Sequence, residues 1–535
     1  MLLARSNSVE EAAASHHWHA RWSGSLDLLL LMGALVAAAI FYPMATLNHD
    51  SSWYLIATRM WLDGAQLYQD VMETNPPLAF YLTAGPVMLA DVFGISPKTS
   101  FCLSLVVAIG GSLVWVRFLL SRAEELTERQ RHHLFLGLVL ALILIPIGSF
   151  GQREHIMLVL SAPYFVLCIA QVRSAGRGER IALGTLAVLG FALKPHFLAA
   201  PLLLACVVAV QSRRFSALFC AQNIVIAAGC ILYVCFVKLV HPEYFDVIVP
   251  LARLTYDTFN AAWSFVFLKP ALFVLVLSVI FWKDMASDRI GWRILAICLG
   301  SLASYAIQSK GWIYHLLPVE AYLVVFCMWI AVSPTVPLRG IRSAAMAVLV
   351  IASIAPATLR GPYDSGPARA LKPLASNGPA NPRTLVLSSR VMVAFPLVND
   401  LNGSWTSRYP HQWFLTGAIR KLGERPCIEN PGECEDYRRA VQYALETNVE
   451  DFLKNAPQLV YVDSMKDKIY FGGVSFDYLE FLGQDPRFAE AWSRYHKSGE
   501  ATGYELWILD ETAISNRTDN TKVDAAQLKS ISVSR

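Results

Sequence analysis

Five polar stretches in an otherwise apolar chain hold the residue types that could carry a reaction. His49-Asp50 stands near the start of NHDSSWYLIATRMWLDGAQLYQDVMETNPPLAFYL (48–82), which also contains Glu73 ahead of Pro76-Pro77. GQREHI (151–156) supplies Gln152, Arg153, Glu154 and His155, and LKPHF (193–197) supplies Lys194 and His196. The segment 241–264 brings His241, Glu243, Asp246, Arg253 and Asp257, with Lys269 nearby, and QSKGWIYH (308–315) brings Gln308, Lys310, Trp312, Tyr314 and His315. A carboxylate facing several cations suits a displacement in which a base takes the proton of an attacking hydroxyl or amine. The cations stabilise the negative charge of a departing phosphate. Plainer roles exist for each residue. A lone Lys or Arg at the end of a membrane span can be a snorkelling anchor, and Trp312 and Tyr314 fit an interfacial belt. Asp50 fits a helix N-cap, and Glu73 fits a solvated acid before the prolines. The chemical role requires that these stretches share one face.

The elements that must position them are dissolved in lipid. Of 535 residues, 55% are hydrophobic and only 16% charged, where a soluble protein carries about a quarter. A net charge of +4 is too small to suggest nucleic acid as a partner. Candidate spans lie at 28–46, 99–120, 134–150, 156–171, 181–193, 197–210, 217–237, 266–282, 293–307, 316–333 and 342–357, about eleven in all. With Arg5 and Arg21 in the cytoplasm, the positive-inside rule places Arg122, Arg129 and Arg131 inside. It does the same for Arg173, Arg177 and Arg180, for Arg213 and Arg214, for Lys283, Arg289 and Arg293, and for Arg339 and Arg342. That parity holds only if 78–94 is a juxtamembrane or re-entrant helix and Lys194-Pro195-His196 is a tight turn between two spans. All five polar stretches then face the outside. The loop 47–98 carries an amphipathic surface helix from Ser51 to Leu67, with apolar Trp53, Ile56, Ala57, Met60, Trp61 and Leu67 at helical spacing.

The chain is therefore read as a polytopic α-helical membrane protein with a C-terminal extracytoplasmic α/β domain. Residues 1–27 form a cytoplasmic N-terminus, and the first apolar run is an uncleaved signal anchor. Residues 28–358 form the transmembrane domain and 359–511 the outer domain. There, strand-like TLVLSS (384–389), QLVYVD (458–463) and YELWIL (504–509) alternate with helical stretches 435–454 and 476–494. The polar tail 512–535 has the composition of a disordered segment. Eight of the ten cysteines lie in apolar runs. Cys427 and Cys434, in CIENPGEC, are expected to form a disulfide. Pro431 and Gly432 favour a turn between them, and an envelope protein's outer face is oxidising.

Asp50, then WYLIATRMWLDGAQLY, ETNPPLAFYL, LKPHF and QSKGWIYH in that order resemble the membrane-embedded GT-C glycosyltransferases over residues 28–330. The likeness is to bacterial members similar to dolichyl-phosphate-mannose–protein mannosyltransferases, lipid A aminoarabinose transferase and rhizobial core galacturonosyltransferases. The resemblance implies inverting transfer of a sugar from a polyprenyl-phosphate donor to a glycan, lipid or protein acceptor. It also implies a multi-pass protein of a bacterial inner membrane with its active site and outer domain extracytoplasmic. Asp50 matches the family's first-loop catalytic acid, and Lys194, Lys310 and His315 match positions near the donor phosphate. Arg153, His196 and Tyr314 join that phosphate-binding set. Many members have two adjacent acids where this chain has His49-Asp50-Ser51, so the second acidic role is open to Glu73, taken here with Asp50 as catalytic, or to Glu154, or is absent. His49 and Glu154 are assisting candidates. The scattered carboxylates among cations call for no metal and no cofactor. Rival readings are a transporter or flippase of lipid-linked sugars, a glycan polymerase or ligase, and a non-catalytic scaffold. A flippase would carry polar residues near the bilayer midplane, and the spans hold few.

The parity generates a direct expectation. A reporter active only outside the cytoplasm should work when fused after residue 360 and stay silent when fused at residue 126; the reverse pattern would break the shared outer face.

Overall fold

A computed structural model describes residues 25–281 and 287–510. Arg5, Arg21 and most of the 1–27 segment, Lys283, and the 512–535 tail lie outside the described residues. The chain forms two compact units. The first comprises residues up to Arg59, Asn75–Pro242 and Asn260–Asp364, and the second comprises Met60–Thr74, Glu243–Phe259 and residues from Ser365 onward. The second unit thus begins close to the expected boundary at 359, but it also takes in two segments from within the 28–358 region.

In the described residues, nine helices are long and apolar enough to cross a membrane, making this a multi-pass helical membrane protein. They are Ser25–Met44, Pro97–Ser121, Glu128–Gly148, Arg153–Ala170, Pro195–Ser212, Ala221–Val240, Arg289–Gln308, Ile313–Ile330 and Ile341–Arg360. A tenth is reached if the bent pair Tyr244–Phe259 and Trp263–Leu277 counts as one span. Two of the expected eleven are thereby revised. The 181–193 run lies in helix Arg177–Phe191, whose 15 residues span only about 22 Å against a hydrocarbon core of about 30 Å. The 266–282 run lies in Trp263–Phe281 and qualifies only within the bent pair. Leu78–Phe93, with 16 residues, is likewise short of a span; Pro77 caps its start and Gly94 its end.

Local sequence explains where the long helices start. Ser96 accepts the Thr99 N–H ahead of Pro97, and Thr127 with Gln130 makes a reciprocal capping box. Between helices, small residues allow close approach, as is usual in lipid. A Cβ added to Gly300 would lie 2.4 Å from the Ala200 Cα, so Arg289–Gln308 can pack against Pro195–Ser212 only with glycine there. A buried acid ties the first spans together. Asp27 is held by Arg117 Nε at 2.8 Å and His132 Nδ1 at 2.5 Å.

The second unit carries a five-stranded mixed sheet of order β2-β1-β3-β5-β4. Its strands are β1 (Arg383–Leu387), β2 (Ser404–Trp405), β3 (Leu459–Asp463), β4 (Tyr495–Ala501) and β5 (Tyr504–Leu509). β1 runs parallel to β2 and β3, while β5 pairs antiparallel with β3 and β4. The three apolar strand-like pieces are β1, β3 and β5. The sequence did not reveal β2, which is two residues long, or β4, whose YHKSGEA is too polar to alternate. Helix Glu435–Asn455 matches the 435–454 stretch. The 476–494 stretch instead breaks into Tyr478–Leu482 and Pro486–Trp492, because Asp485 and Pro486 start a new helix.

The two inserted segments are integral to this unit. Met72 N–H donates to Arg408 O at 2.7 Å, Gln69 Nε2 to Glu243 Oε1 at 2.8 Å, and Lys421 pairs with Asp257 at 3.0 Å. Arg408 in turn grips the Asp451 carboxylate from Nε and Nη2.

Cys427 and Cys434 are joined as a disulfide, with their Cα atoms 5.7 Å apart. A loop this short is worth about 2–3 kcal/mol in the chain-entropy description. Both thiols of the purified protein should therefore resist alkylation until a reductant is added, and the double Cys→Ser variant should unfold at a lower temperature. Labelling of both without reduction would refute the bond.

Candidate active site

Two ion pairs lie side by side in the first unit, built on adjacent residues at the start of one helix. Arg153 and Glu154 open Arg153–Ala170. Arg153 Nη2 donates to Asp50 Oδ2 at 3.0 Å and Nη1 to the Tyr54 hydroxyl at 3.1 Å. Glu154 Oε1 accepts from Lys194 Nζ at 2.6 Å. The second pair is sealed from water: the Glu154 side chain is 0% exposed and Lys194 6%. Asp50 keeps 15% of its side-chain surface, so it is the acid a reactant can reach.

Asp50 stands in the first turn of helix His49–Leu62, shorter than the expected Ser51–Leu67. It is not the cap. Asn48 Oδ1 accepts the Ser51 N–H at 3.0 Å, leaving the Asp50 carboxylate for Arg153. The Asn48 Nδ2 also donates to Phe150 O at 2.6 Å, which fastens the Asp50 turn to the turn that precedes Arg153. That second turn needs Gly151, with φ +79° and a Cβ position only 2.4 Å from the Phe101 ring. His155 closes it, accepting the Gly151 N–H on Nδ1 at 3.1 Å and bonding Leu142 O through Nε2 at 2.9 Å.

Lys194 sits between two helical segments, just before Pro195. Its ammonium also meets Gln308 Oε1 at 3.4 Å and His315 Nε2 at 3.5 Å, and it lies 5.5 Å from the Tyr314 ring centroid. Tyr314 reaches the other pair as well, its ring edge-on to His49 at 6.3 Å. His49 completes the group, with Nε2 3.5 Å from Asp50 Oδ1 and Nδ1 3.0 Å from the Tyr363 hydroxyl. His196 lies within electrostatic range of Lys194 and Arg153.

Burial pushes the Asp50 carboxyl up, but His49, Arg153 and Lys194 together outweigh it and hold the group below its ordinary value. Burial holds His49 below its own ordinary value, with Arg153 adding to it and the Asp50 carboxylate opposing. Burial likewise lowers Lys194, against the opposing pull of Glu154.

Of the residues singled out in the sequence, His49, Asp50, Arg153, Glu154, Lys194, His196, Tyr314 and His315 come together. Lys310 stands at the margin: its ammonium is on Asn260 Oδ1 at 2.8 Å, within electrostatic reach of His315. Glu73 belongs to the second unit, where it accepts from the Thr74 hydroxyl at 3.2 Å and lies near Tyr244. Glu154 faces Lys194 rather than a reactant. Gln308, named in the sequence, also joins the group through Lys194, while Asn48, Tyr54 and Tyr363 went unread, being neutral side chains without a charge pattern. No group of three or more His, Cys, Asp or Glu among the described residues could hold a metal ion.

No protein-family model matches this sequence, and no curated protein does. Among solved structures the chain is similar to ArnT from Cupriavidus metallidurans bound to undecaprenyl phosphate. Identity is 12% and the TM-score 0.49, over 90% of this chain and 97% of that one. The apo state of that protein gives 12% identity and a TM-score of 0.48, over 92% and 98%.

Asn48 gives this site its sharpest structural test. Asn48→Ala removes a helix cap, worth ~1 kcal/mol, and strands the buried Phe150 carbonyl at a further ~1–3 kcal/mol. Thermal stability should fall; Asp50→Asn, which keeps an acceptor oxygen for Arg153 but removes its counter-charge, should also cost stability. Equal stability of Asn48→Ala and wild type would show that the two turns are held some other way.

Proposed function

We propose that the protein is a membrane glycosyltransferase of GT-C type. It transfers a sugar from a polyprenyl-phosphate donor to a hydroxyl or amine of a glycan, lipid or protein outside the cytoplasm. One observation carries this reading: a partly exposed, ionised Asp50 held by Arg153, next to the buried ammonium of Lys194. The acceptor attacks the anomeric carbon while Asp50 takes its proton. The C1–O bond to phosphate breaks, and its electron pair leaves on the phosphate oxygen. Arg153 and Lys194 stabilise that charge, with His196, Tyr314 and His315 around them and Lys310 at the margin. A single displacement on the face opposite the leaving group inverts the anomeric centre.

Further support comes from the chain as a whole. The Arg- and Lys-rich connectors favour an outward-facing site. A disulfide at Cys427–Cys434 suits an oxidising compartment for the second unit, such as the outer face of a bacterial inner membrane.

The test separates chemistry from structure. Asp50→Asn, which keeps an acceptor oxygen for Arg153 at some cost in stability, should still bind the lipid donor and, compared at equal folded protein, transfer about 10²–10⁴ times more slowly; near-normal turnover would remove Asp50 from the chemistry. Lys194→Met alone would leave Glu154 buried without its partner, a cost of ~3–5 kcal/mol, so it belongs with Glu154→Gln. That pair should keep the fold and lose donor affinity. In wild type, the acid limb of the rate profile should lie below the ordinary carboxyl range, about 3.9, because Asp50 is lowered and stays ionised above its own pKa. The alkaline limb should lie below the ordinary lysine value, about 10.4, because Lys194 is lowered and loses its charge earlier, and it should vanish in the double variant.

A further inference from the structure

The far end of Arg153–Ala170 from the ion pairs borders a cavity of about 110 Å³, room for about three or four waters. Its walls come from that helix, from Pro195–Ser212 and from the start of Ala221–Val240. Leu167, Leu204 and Val208 make one side apolar, while Arg173, Arg180 and Gln222 make the other polar. Two observations mark it as a site. Gln222 is 3% exposed, yet its Oε1 has no hydrogen-bond partner, which leaves a buried acceptor wanting a donor. The Arg180 guanidinium is fixed in place, donating from Nε to Ala175 O and from Nη2 to Val172 O, each at 3.0 Å. Arg173, paired with Glu125 at 3.0 Å, adds a second cation at the mouth.

We propose that this cavity binds a phosphate ester bearing free hydroxyls, of the kind found in a glycerophosphate lipid headgroup. A phosphate answers Arg180 and Arg173, and a hydroxyl donates to Gln222 Oε1. Basic pockets between membrane helices near a lipid surface take anionic headgroups in this way. A purely zwitterionic choline headgroup supplies no hydroxyl donor for Gln222. The site stands at the opposite end of the helix from Asp50 and Lys194 and takes no part in the transfer proposed above.

The test uses the purified, delipidated full-length protein in detergent, with phosphatidylglycerol, phosphatidylcholine and water-soluble glycerol phosphate as probes. Thermal unfolding reports binding, and native mass spectrometry counts the lipids retained. Phosphatidylglycerol should raise the unfolding temperature of wild type, and phosphatidylcholine should not. Gln222→Leu should retain phosphatidylglycerol about tenfold less well, the worth of one buried neutral hydrogen bond. Gln222→Glu, similar in size but anionic, should reject it further. Protection by glycerol phosphate alone would assign the site to a soluble ester of the same chemistry, and protection only by the lipid would assign it to the membrane. Equal responses to phosphatidylglycerol and phosphatidylcholine, or an unchanged phosphatidylglycerol response in both folded Gln222 variants, would overturn the site.

Discussion

A charge taken out of water must meet an opposite charge, or the fold loses several kcal/mol. That constraint organises the first unit. Arg153 and Glu154 are neighbours in sequence and opposite in sign, and each reaches a partner from a different element. Asp50 comes from a helix that begins after the first span, and Lys194 from a break between two later helical segments. Two balanced pairs can sit together where four isolated charges could not. The geometry also makes them unequal. Glu154 and Lys194 are sealed, while Asp50 keeps an open edge, so of the two acids only Asp50 is open to a reactant.

Neutral groups hold that arrangement in register. Asn48 caps one turn and fastens it to the next, Gly151 allows the next turn its shape, and His155 locks it. None of the three carries charge to the reaction. Each decides where a charge stands, and a displacement of about 1 Å at such a site costs far more than a weak contact is worth.

Much of this was legible in the sequence, for physical reasons that also mark where legibility stopped. Charges in a chain this apolar are conspicuous, so Asp50, Arg153, Lys194 and His315 stood out, and span parity put them on one face. Their pairing was not legible. Glu154 looked like a possible second reactive acid until its carboxylate was found on Lys194. Lys310 looked central, but Ser309 and Gly311 both adopt positive φ, and the turn they make leaves its ammonium on Asn260. Glu73 was read as a second catalytic acid beside Asp50 from its position in the same loop, and the chain passes from the first unit to the second between Arg59 and Met60. The apolar strands were readable and the polar edge strand β4 was not, since a period of two needs an apolar face to show itself.

The interleaving of the two units has a consequence for biogenesis. The sheet-bearing unit includes Met60–Thr74 and Glu243–Phe259, and its packing is too close to dispense with them: a Cβ on Gly417 would sit 2.5 Å from Thr255 O. A ribosome delivers 60–74 long before residue 365, so that segment must wait, incompletely packed, while most of the membrane helices are inserted. The unit cannot mature as an appended module. Its completion reports that the whole chain has been threaded correctly.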